Sequence, residues 1–301
     1  MPLRAVQRTF FKILLKPHLI IGARKSMQSD ALSSIRKSAR FLYLRITKRN
    51  INFINKSMSG SQKVYCFHYD TLSKVFDKAC INLACEHGAT LWRSNARPEL
   101  SICLKQGNPQ FRDGEMELQF RAESKVIYTM GFTLVPGHFF FKGSQEALLI
   151  TRVQGSVGYL DFFSSAKKDL MDVAVNQLLF SAIRGLSAYM GIQAIYGVST
   201  KYQSYYVEDR FERFNKNYNL FWEALQGSKC SDSFYQMPIP YVDKDILKIS
   251  QHHRSRVRKK REFKNSIIKS VFSEAKTLNP YAANRLSSSW FMPKFQSDSA
   301  V

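Results

Sequence analysis

Hydrophobic residues recur at every second position in the middle of the chain, starting at residue 99. This is the period of a half-buried strand, in which successive side chains point to opposite faces of a sheet. The segments are rich in Ile, Val, Phe and Tyr, and short turns with Gly, Pro, Asn or Ser separate them. The pattern therefore predicts four consecutive strands, and hence an antiparallel meander, over residues 99–105, 115–121, 125–135 and 147–154.

Helical spacing of apolar residues replaces this alternation on both sides of the meander. It predicts a long, largely apolar helix over residues 165–190, which Gly191 ends. A short buried strand follows at residues 194–199, so the two strands and the helix between them form a strand-helix-strand unit of a mixed sheet. Further helices are predicted over residues 70–85, 208–225 and 244–276, and an extended segment over residues 234–239. This order predicts an α+β protein with a central mixed, mainly antiparallel sheet and flanking helices.

The first 63 residues are a distinct basic region. Residues 3–21 have an amphipathic helical pattern with Arg and Lys between the apolar positions, until Pro17 interrupts it. Such a helix either packs its apolar stripe on the protein body or lies on an anionic membrane. A Ser-rich stretch at residues 57–61 marks the end of the region. We therefore predict a basic helical N-terminal region over residues 1–63, an α+β domain ending in a basic helix over residues 64–276, and a C-terminal tail over residues 277–301.

The net charge is distributed unevenly along the chain. The 301 residues include 45 Lys and Arg against 23 Asp and Glu, a formal net charge of +22. Residues 1–65 contain 14 cations and one acid, residues 251–301 contain 11 and 3, and the residues between them contain 20 and 19. The middle is therefore nearly neutral and both ends are basic. Basic ends are neutralised by nucleic-acid phosphates, anionic lipid headgroups or an acidic substrate.

Composition and cysteine usage indicate a folded protein in a reducing compartment. The chain is 45% hydrophobic and 13% aromatic, which excludes a disordered chain. Five cysteines at irregular spacing argue against a disulfide framework. No stretch approaches 18 uninterrupted apolar residues, and lysines and a proline interrupt the apolar stretch at residues 10–22, so we expect neither a transmembrane span nor a cleaved signal peptide. The expected location is the cytoplasm, with peripheral attachment to an inner membrane as the alternative.

One group of potential metal ligands is better explained without a metal. Cys80, Cys85 and His87 lie close together in the sequence, but cysteines five positions apart do not share a helix face. Buried free thiols explain them better, because cysteine is among the most often buried residue types. We therefore predict no metal site.

Several short motifs in the second half of the chain match a known pattern. A Phe221-Trp222 pair follows Tyr218-Asn219, an extended segment covers residues 234–238, and the basic run over residues 254–261 opens the last predicted helix. Upstream motifs are His68-Tyr69, Gln154-Gly155 at the end of a strand, and residues 197–199 after the long helix. Over residues 60–270 the sequence resembles the VirK/YbjX family of Gram-negative bacteria, a domain of unknown function.

The resemblance implies a biological setting without an established reaction. It implies an association with bacterial virulence and with resistance to antimicrobial peptides at the cell envelope. The sequence departs from the family pattern at three positions. Asn219 stands where the family has Asp, and Thr200 and Gln203 stand where the family has Asn and a nearby His.

The unit from Ala147 to Ser199 also resembles the core of the acyl-CoA N-acyltransferase (GNAT-like) superfamily, in which a meander leads into a long helix. That resemblance implies a GNAT-like topology, acyl transfer, and CoA or an acyl carrier protein thioester as the cofactor. The N-terminus of the helix would receive a phosphate, because its backbone N–H groups are free and its dipole is positive there. The residues in that place are Ser164, Ser165, Ala166, Lys167 and Lys168. An ordinary N-cap is the alternative explanation for the two serines.

The basic run near the C-terminus is a candidate site for anionic surfaces. Six of its eight residues are cations: Arg254, Arg256, Arg258, Lys259, Lys260 and Arg261. On a helix they would surround the axis rather than form one stripe. A solvated surface, an anionic membrane and nucleic acid are all possible explanations, and nucleic acid is the weakest because no nucleic-acid-binding motif accompanies the charge. Neighbouring aromatic residues between Phe211 and Trp222 have the spacing of a helix face in a core rather than of a base-stacking surface.

Overall fold

One eight-stranded sheet forms the centre of the computed structural model, which describes residues 17–37, 58–108, 114–137, 146–156, 158–159, 162, 165–241 and 243–279. The strands are β1 (Ala89–Arg93), β2 (Leu100–Gln106), β3 (Met116–Ala122), β4 (Lys125–Pro136), β5 (Glu146–Gly155), β6 (Ala194–Val198), β7 (Ser228–Lys229) and β8 (Phe234–Met237). Their order across the sheet is β1-β2-β3-β4-β5-β6-β8-β7. Only β5 and β6 pair in parallel; all other neighbours are antiparallel. The predicted α+β class with a mixed, mainly antiparallel sheet is confirmed.

Helices precede the sheet, connect β5 to β6 and β6 to β7, and follow β8. They are α1 (Pro17–Ser26), α2 (Ser33–Lys37), α3 (Met58–Val75), α4 (Lys78–Glu86), α5 (Val175–Met190), α6 (Phe211–Asn217), α7 (Asn219–Ala224) and α8 (Gln251–Leu278). The described residues contain no helix that is both long and apolar enough to cross a membrane.

Four helix predictions need correction. The helix predicted over residues 70–85 is two helices, because the Asp77 side chain accepts the Cys80 N–H at 2.8 Å and so caps the start of α4. The helix predicted over residues 208–225 is broken at Tyr218, which has non-helical dihedrals (φ −123°, ψ −82°). The N-terminal helical pattern predicted to end at residue 21 continues to Ser26 in α1, whose first residue is Pro17, since proline fits the first turn of a helix. The basic C-terminal helix begins at Gln251 and not at residue 244.

The long crossover helix also begins later than predicted. α5 starts at Val175 after Ala174, ten residues beyond the predicted start at Ser165. Met171 and Asp172 adopt positive φ values of 50° and 55°, the left-handed conformation. A right-handed helix cannot continue through two such residues. Residues 167–172 therefore form turns and are not the first turns of α5.

Helices α5 and α8 pack against each other in the same direction. A Cβ atom on Gly185 of α5 would lie 2.5 Å from the carbonyl oxygen of Ile268, so glycine is needed for the two backbones to approach. Near their beginnings, Lys260 of α8 donates a hydrogen bond to the Asp172 carbonyl oxygen just before α5. Near their ends, Phe272 packs edge-on against Tyr189. The basic half of α8 therefore lies beside the start of α5.

The N-terminal helices belong to the same hydrophobic core as the sheet. Ala23, Met27 and Leu32 are buried in one cluster with residues of the meander and of α5. Helix α3 runs through the predicted boundary between residues 63 and 64. The three-part division at residues 63 and 276 stays a prediction, and residues 3–16 of the predicted N-terminal helix and residues 280–301 of the tail lie outside the described residues.

A buried ion pair crosses the sheet on the face opposite to α5. Gly131 of β4 pairs with Glu117 of β3 on one side and with Arg152 of β5 on the other. Because glycine has no side chain, Arg152 can reach across β4, and its Nη2 lies 2.9 Å from Glu117 Oε2. The two side chains are only 8% and 6% exposed. Gln119 donates a further hydrogen bond to Glu117.

Candidate functional site

Strands β5 and β6 separate at their carboxyl ends. Their parallel pairing covers only four positions and ends where Ile150 faces Gly197. Beyond this point β5 continues to Gly155 paired with β4, whereas Val198 of β6 pairs with β8. We call this place, residues 151–155 together with residues 198–200, the β5–β6 fork. Among the residues that the structure describes, the strand edges that face each other in the fork have no strand paired to them, so other groups can hydrogen-bond to them.

The side chain of Tyr218 enters the fork. The backbone N–H of Val153 donates to the Tyr218 hydroxyl at an N···O distance of 3.2 Å. Tyr218 is buried and lies between α6 and α7, at the break described above. Its hydroxyl accepts this hydrogen bond, and a tyrosine hydroxyl can act both as a donor and as an acceptor. A tyrosine hydroxyl and a backbone amide therefore meet at the point where the strands separate.

Trp222 fixes the same helical segment to β6. Its indole Nε1–H donates to the carbonyl oxygen of Val198 at 2.9 Å, and the side chain is fully buried. A Cβ atom on Gly197 would lie 2.3 Å from the indole ring. Only glycine at position 197 lets the ring approach the strand this closely.

The three departures from the VirK/YbjX pattern lie together beside the fork. The Thr200 N–H donates to the Asn219 side-chain oxygen at 2.8 Å, and the Gln203 amide donates to the Val198 carbonyl oxygen at 3.4 Å. Thr200 is fully buried, and its hydroxyl has no hydrogen-bond partner in the part of the chain that the structure describes. Neutral amide and hydroxyl groups thus line this side of the fork.

Exposed, largely apolar side chains lie on the segments next to the fork. Tyr202, Tyr205 and Leu220 are 38%, 47% and 50% exposed. Behind them Tyr218 and Trp222 are buried, which confirms the predicted core role for the inner part of this aromatic segment. The fork therefore combines buried polar groups with exposed aromatic and aliphatic side chains on the neighbouring segments.

The residues predicted to hold a phosphate do not open a helix. Ser164 lies outside the described residues. Ser165, Lys167 and Lys168 are exposed, while Ala166 is buried. Because α5 begins at Val175, its free N–H groups are not those of residues 164–168. The phosphate-binding role of these residues stays a prediction.

The basic run of α8 divides into cations with partners inside the protein and cations that face solvent. Arg254 donates to the carbonyl oxygens of Ile249 and Leu247. Asp172 binds Arg256 through its carboxylate at 2.9 Å and Lys260 through its carbonyl oxygen at 2.8 Å. Burial, together with repulsion by Arg256 and Lys167, lowers the pKa of Lys260 against the opposing effect of Asp172.

Arg261, the sixth cation of the predicted site, pairs with Asp243. Arg258 and Lys259 are exposed and have no ion-pair partner among the residues that the structure describes. The role of the run at an anionic surface stays a prediction; Arg256 is also 58% exposed, but it is paired with Asp172.

The cysteines are free thiols and most are shielded from solvent. Burial raises the pKa of Cys80 to about 12 and that of Cys85 to about 11. Both thiols are therefore protonated at neutral pH and are weak nucleophiles.

Three of the motifs on which the family resemblance rests come together at the β5–β6 fork, although they lie far apart along the chain. The motif at Gln154-Gly155, the motif at residues 197–199 and the motif around Tyr218 and Trp222 all contribute to it. The pairing of Glu117 with Arg152 was missed, because nothing in the local pattern joins two residues in separate strands.

A family model described as "Protein of unknown function (DUF535)" matches residues 4–272. This family contains VirK/YbjX, so the resemblance seen in the sequence is confirmed at the level of the family. No curated protein and no solved structure matched the chain.

Proposed function

Because the chain belongs to the DUF535 family of proteins of unknown function, we propose its activity from its own geometry: it binds an acyl thioester at the β5–β6 fork and transfers the acyl group to an amine or hydroxyl. The observation that carries this proposal is the early end of the β5–β6 pairing, with the Val153 N–H and the Tyr218 hydroxyl facing each other in the gap. Further support comes from the order of elements, since a meander, a long helix and a parallel strand are the layout of a GNAT-like core.

The groups in the fork suit this chemistry. The free edge of β5 can hydrogen-bond the amides of a pantetheine arm, as a neighbouring strand would. As the acceptor attacks the thioester carbonyl, the Val153 N–H would exchange its hydrogen bond to the Tyr218 hydroxyl for one to the carbonyl oxygen, and would stabilise the negative charge that develops there. When the C–S bond breaks, the Tyr218 hydroxyl would donate a proton to the leaving thiolate and would recover one from the acceptor. CoA or an acyl carrier protein would supply the activated acyl group.

This activity would give a biochemical basis to the biology that the family resemblance implies. Acylation changes the charge or the hydrophobicity of its acceptor. A cytoplasmic or peripheral enzyme that acylates a precursor of the envelope would thereby alter how cationic peptides bind the cell. Virulence and resistance to antimicrobial peptides would then follow from the reaction, and the acceptor would be an envelope component.

Replacing Tyr218 with Phe tests the proposal. We expect Tyr218→Phe to lower the turnover number for acyl transfer roughly 100-fold, because the proton donor is lost while the ring remains. Thiol release from acyl-CoA or from an acyl carrier protein thioester, measured with a mixture of amine and hydroxyl acceptors, reports the rate. Tyr206→Phe is the matched control, because Tyr206 also lies near the fork but donates its hydroxyl proton to Glu208 at the surface.

Two results would contradict the proposal. One is that the wild-type protein neither binds nor cleaves either donor, as measured by calorimetry and thiol release. The other is that Tyr218→Phe retains the wild-type rate, which would remove Tyr218 from the reaction. Because CoA and an acyl carrier protein share the pantetheine arm, binding of only one of them would identify the donor.

We also propose that the exposed cations of α8 attach the protein to an anionic membrane. Leu247 is 70% exposed beside Lys248, and Arg258 and Lys259 face solvent one to three helical turns away. An exposed leucine among cations favours lipid over nucleic acid, since phosphates of nucleic acid offer no apolar partner for it.

Sedimentation with vesicles tests the membrane attachment. The protein should bind vesicles containing phosphatidylglycerol at physiological salt, and the double variant Arg258→Gln/Lys259→Gln should bind roughly 30-fold more weakly, since each cation contributes about 1 kcal/mol at an anionic surface. Binding no stronger than to phosphatidylcholine alone would refute attachment. Retention on nucleic acid instead would support the competing interpretation of the basic run.

A further inference from the structure

A second group of cations lies where α5, α8 and the segment before α8 meet. Arg261 Nε and Lys264 Nζ of α8 lie 3.5 Å and 3.6 Å from the same oxygen of Asp243. Arg184 of α5 places its guanidinium 4.7 Å from the centre of the Tyr241 ring, and Lys264 lies 5.8 Å from that ring. We call Arg184, Arg261, Lys264 and Asp243 the seam cluster.

The seam cluster has an excess of positive charge in a partly buried place. Three cations surround one carboxylate, and the side chains of Arg261 and Lys264 are only 18% and 20% exposed. Burial lowers the pKa of Lys264, and repulsion by Arg184 and Arg261 lowers it further, while Asp243 opposes the change. Burial also lowers the pKa of Arg184. Two positive charges are therefore left without a counterion, which is costly away from bulk water.

Arg184 is the cation of the seam cluster whose N–H groups donate no hydrogen bond to the residues that the structure describes. Arg261 donates to the carbonyl oxygen of Lys244 and pairs with Asp243, and Lys264 pairs with Asp243. By contrast, within the described part of the chain the Arg184 guanidinium has no hydrogen-bond acceptor and makes only its contact with the Tyr241 ring. A guanidinium in such a contact can still donate hydrogen bonds from its N–H groups. Arg184 is half-buried, so an ion from solvent can reach them.

Packing alone does not explain an arginine at this position. Arg184 lies between the buried Ile183 and Gly185 and is the only charged residue of α5, where a methionine would fill the same space without any charge. A cation placed beside two others is stabilised only if an anion joins them. The charge of that anion follows from the balance: two uncompensated positive charges match a dianion.

We propose that the seam cluster is a binding site for a phosphate group. Arg184 would bind two phosphate oxygens with its planar fork, as guanidinium groups do, and Lys264 would contribute a point charge. Asp243 holds Arg261 and Lys264 in place and keeps the net charge of the site at two. The site is independent of the acyl transfer proposed above, because it lies between α5 and α8 and uses none of the residues of the β5–β6 fork.

Thermal unfolding in phosphate and in chloride, at equal ionic strength and pH, tests the proposal. Inorganic phosphate should raise the Tm of the wild-type protein and should bind in calorimetry. Arg184→Met should have a higher Tm than the wild type in chloride, because it removes an uncompensated charge, and should bind phosphate at least about tenfold more weakly. Lys276→Met is the matched control: it removes one exposed cation from the same helix, and its response to phosphate should equal that of the wild type.

The sign of both effects separates a binding site from a merely structural arginine. A structural role predicts that Arg184→Met lowers the Tm in both salts and leaves the phosphate-induced rise intact. That result would overturn the proposal. A wild-type Tm that is the same in phosphate and in chloride would exclude free phosphate as the ligand and leave only the phosphate of a lipid headgroup. If Arg184→Met does not fold, Arg184→Lys keeps the charge without the fork and should still weaken phosphate binding.

Vesicles of phosphatidylcholine with and without phosphatidic acid distinguish the source of the phosphate. Binding to phosphatidic acid that Arg184→Met weakens, with no response to inorganic phosphate, assigns the site to a lipid headgroup. A response to inorganic phosphate with vesicle binding that is unaffected by Arg184→Met assigns it to a soluble phosphate. If Arg184→Met changes neither measurement, the seam cluster is not a phosphate site.

Discussion

Gly197→Val is expected to lower the free energy of unfolding by at least about 3 kcal/mol, the upper range for an overpacked core. The new Cβ atom would lie 2.3 Å from the indole of Trp222, which is fully buried and bonded to Val198. Neither group can move freely, because one is backbone in the sheet and the other is a rigid ring. Urea unfolding measures the loss, and tryptophan fluorescence should shift to the red as Trp222 becomes hydrated.

A double variant makes this expectation specific. Trp222→Leu alone leaves a cavity and loses the hydrogen bond to Val198, so it should also destabilise the protein. Combined with Gly197→Val, however, it gives the new side chain room. We therefore expect the loss in the double variant to be smaller than the sum of the single losses by more than about 1 kcal/mol. Simple additivity would show that the two residues are not in contact.

Arg152→Met is expected to lower the free energy of unfolding by about 3–5 kcal/mol, because it leaves the carboxylate of Glu117 buried without its cation. The two side chains lie 2.9 Å apart and are almost fully buried, so solvent cannot replace the lost partner. Replacing both residues in Arg152→Met/Glu117→Leu should restore much of the stability, since no charge then remains in the interior. Urea unfolding of the two single variants and the double variant completes the cycle.

A surface arginine provides the control. Arg97 forms ion pairs with Glu99 and Asp169, but its side chain is 29% exposed. Arg97→Met should therefore unfold at nearly the wild-type urea concentration. If Arg152→Met were as stable as Arg97→Met, the ion pair between Glu117 and Arg152 would contribute no more to stability than an exposed ion pair.

Local sequence patterns were sufficient to predict the positions of most strands of the sheet. The alternation of apolar residues predicted β2 to β5 to within two residues, because each strand buries at least one face and its pattern is complete within a few positions. β1 was missed because it has five residues directly after the helix-ending turn at Gly88. β7 has only two residues and no pattern to detect.

The start of α5 shows why the remaining boundaries could not be predicted. Leu170 and Val173 are buried, as an amphipathic helix would require, yet the backbone between them is left-handed at Met171 and Asp172. Burial patterns report which side chains face the core and not how the backbone turns to place them there. The same helical periodicity therefore fits a helix and a compact turn equally well.

The candidate sites depend on contacts between distant residues. Val153 and Tyr218 are 65 positions apart, and Arg184 meets Tyr241 across a similar distance. The sequence revealed the cations of α8 as a run, but it did not show that Arg261 turns inward while Arg258 turns outward. Arg184 joins the seam cluster because α5 packs in parallel against α8, and this packing could not be read from the sequence.

That parallel packing also sums two helix dipoles. Because α5 and α8 run in the same direction, the positive ends of both dipoles lie on the same side of the molecule, together with Arg256 and Lys260. Cations near a helix N-terminus weaken the helix, so helix stability does not explain their presence there. The arrangement instead produces a local positive potential that attracts anions over distances comparable to the Debye length, about 8 Å at physiological salt. Anions should therefore reach this side of the protein faster as the ionic strength falls.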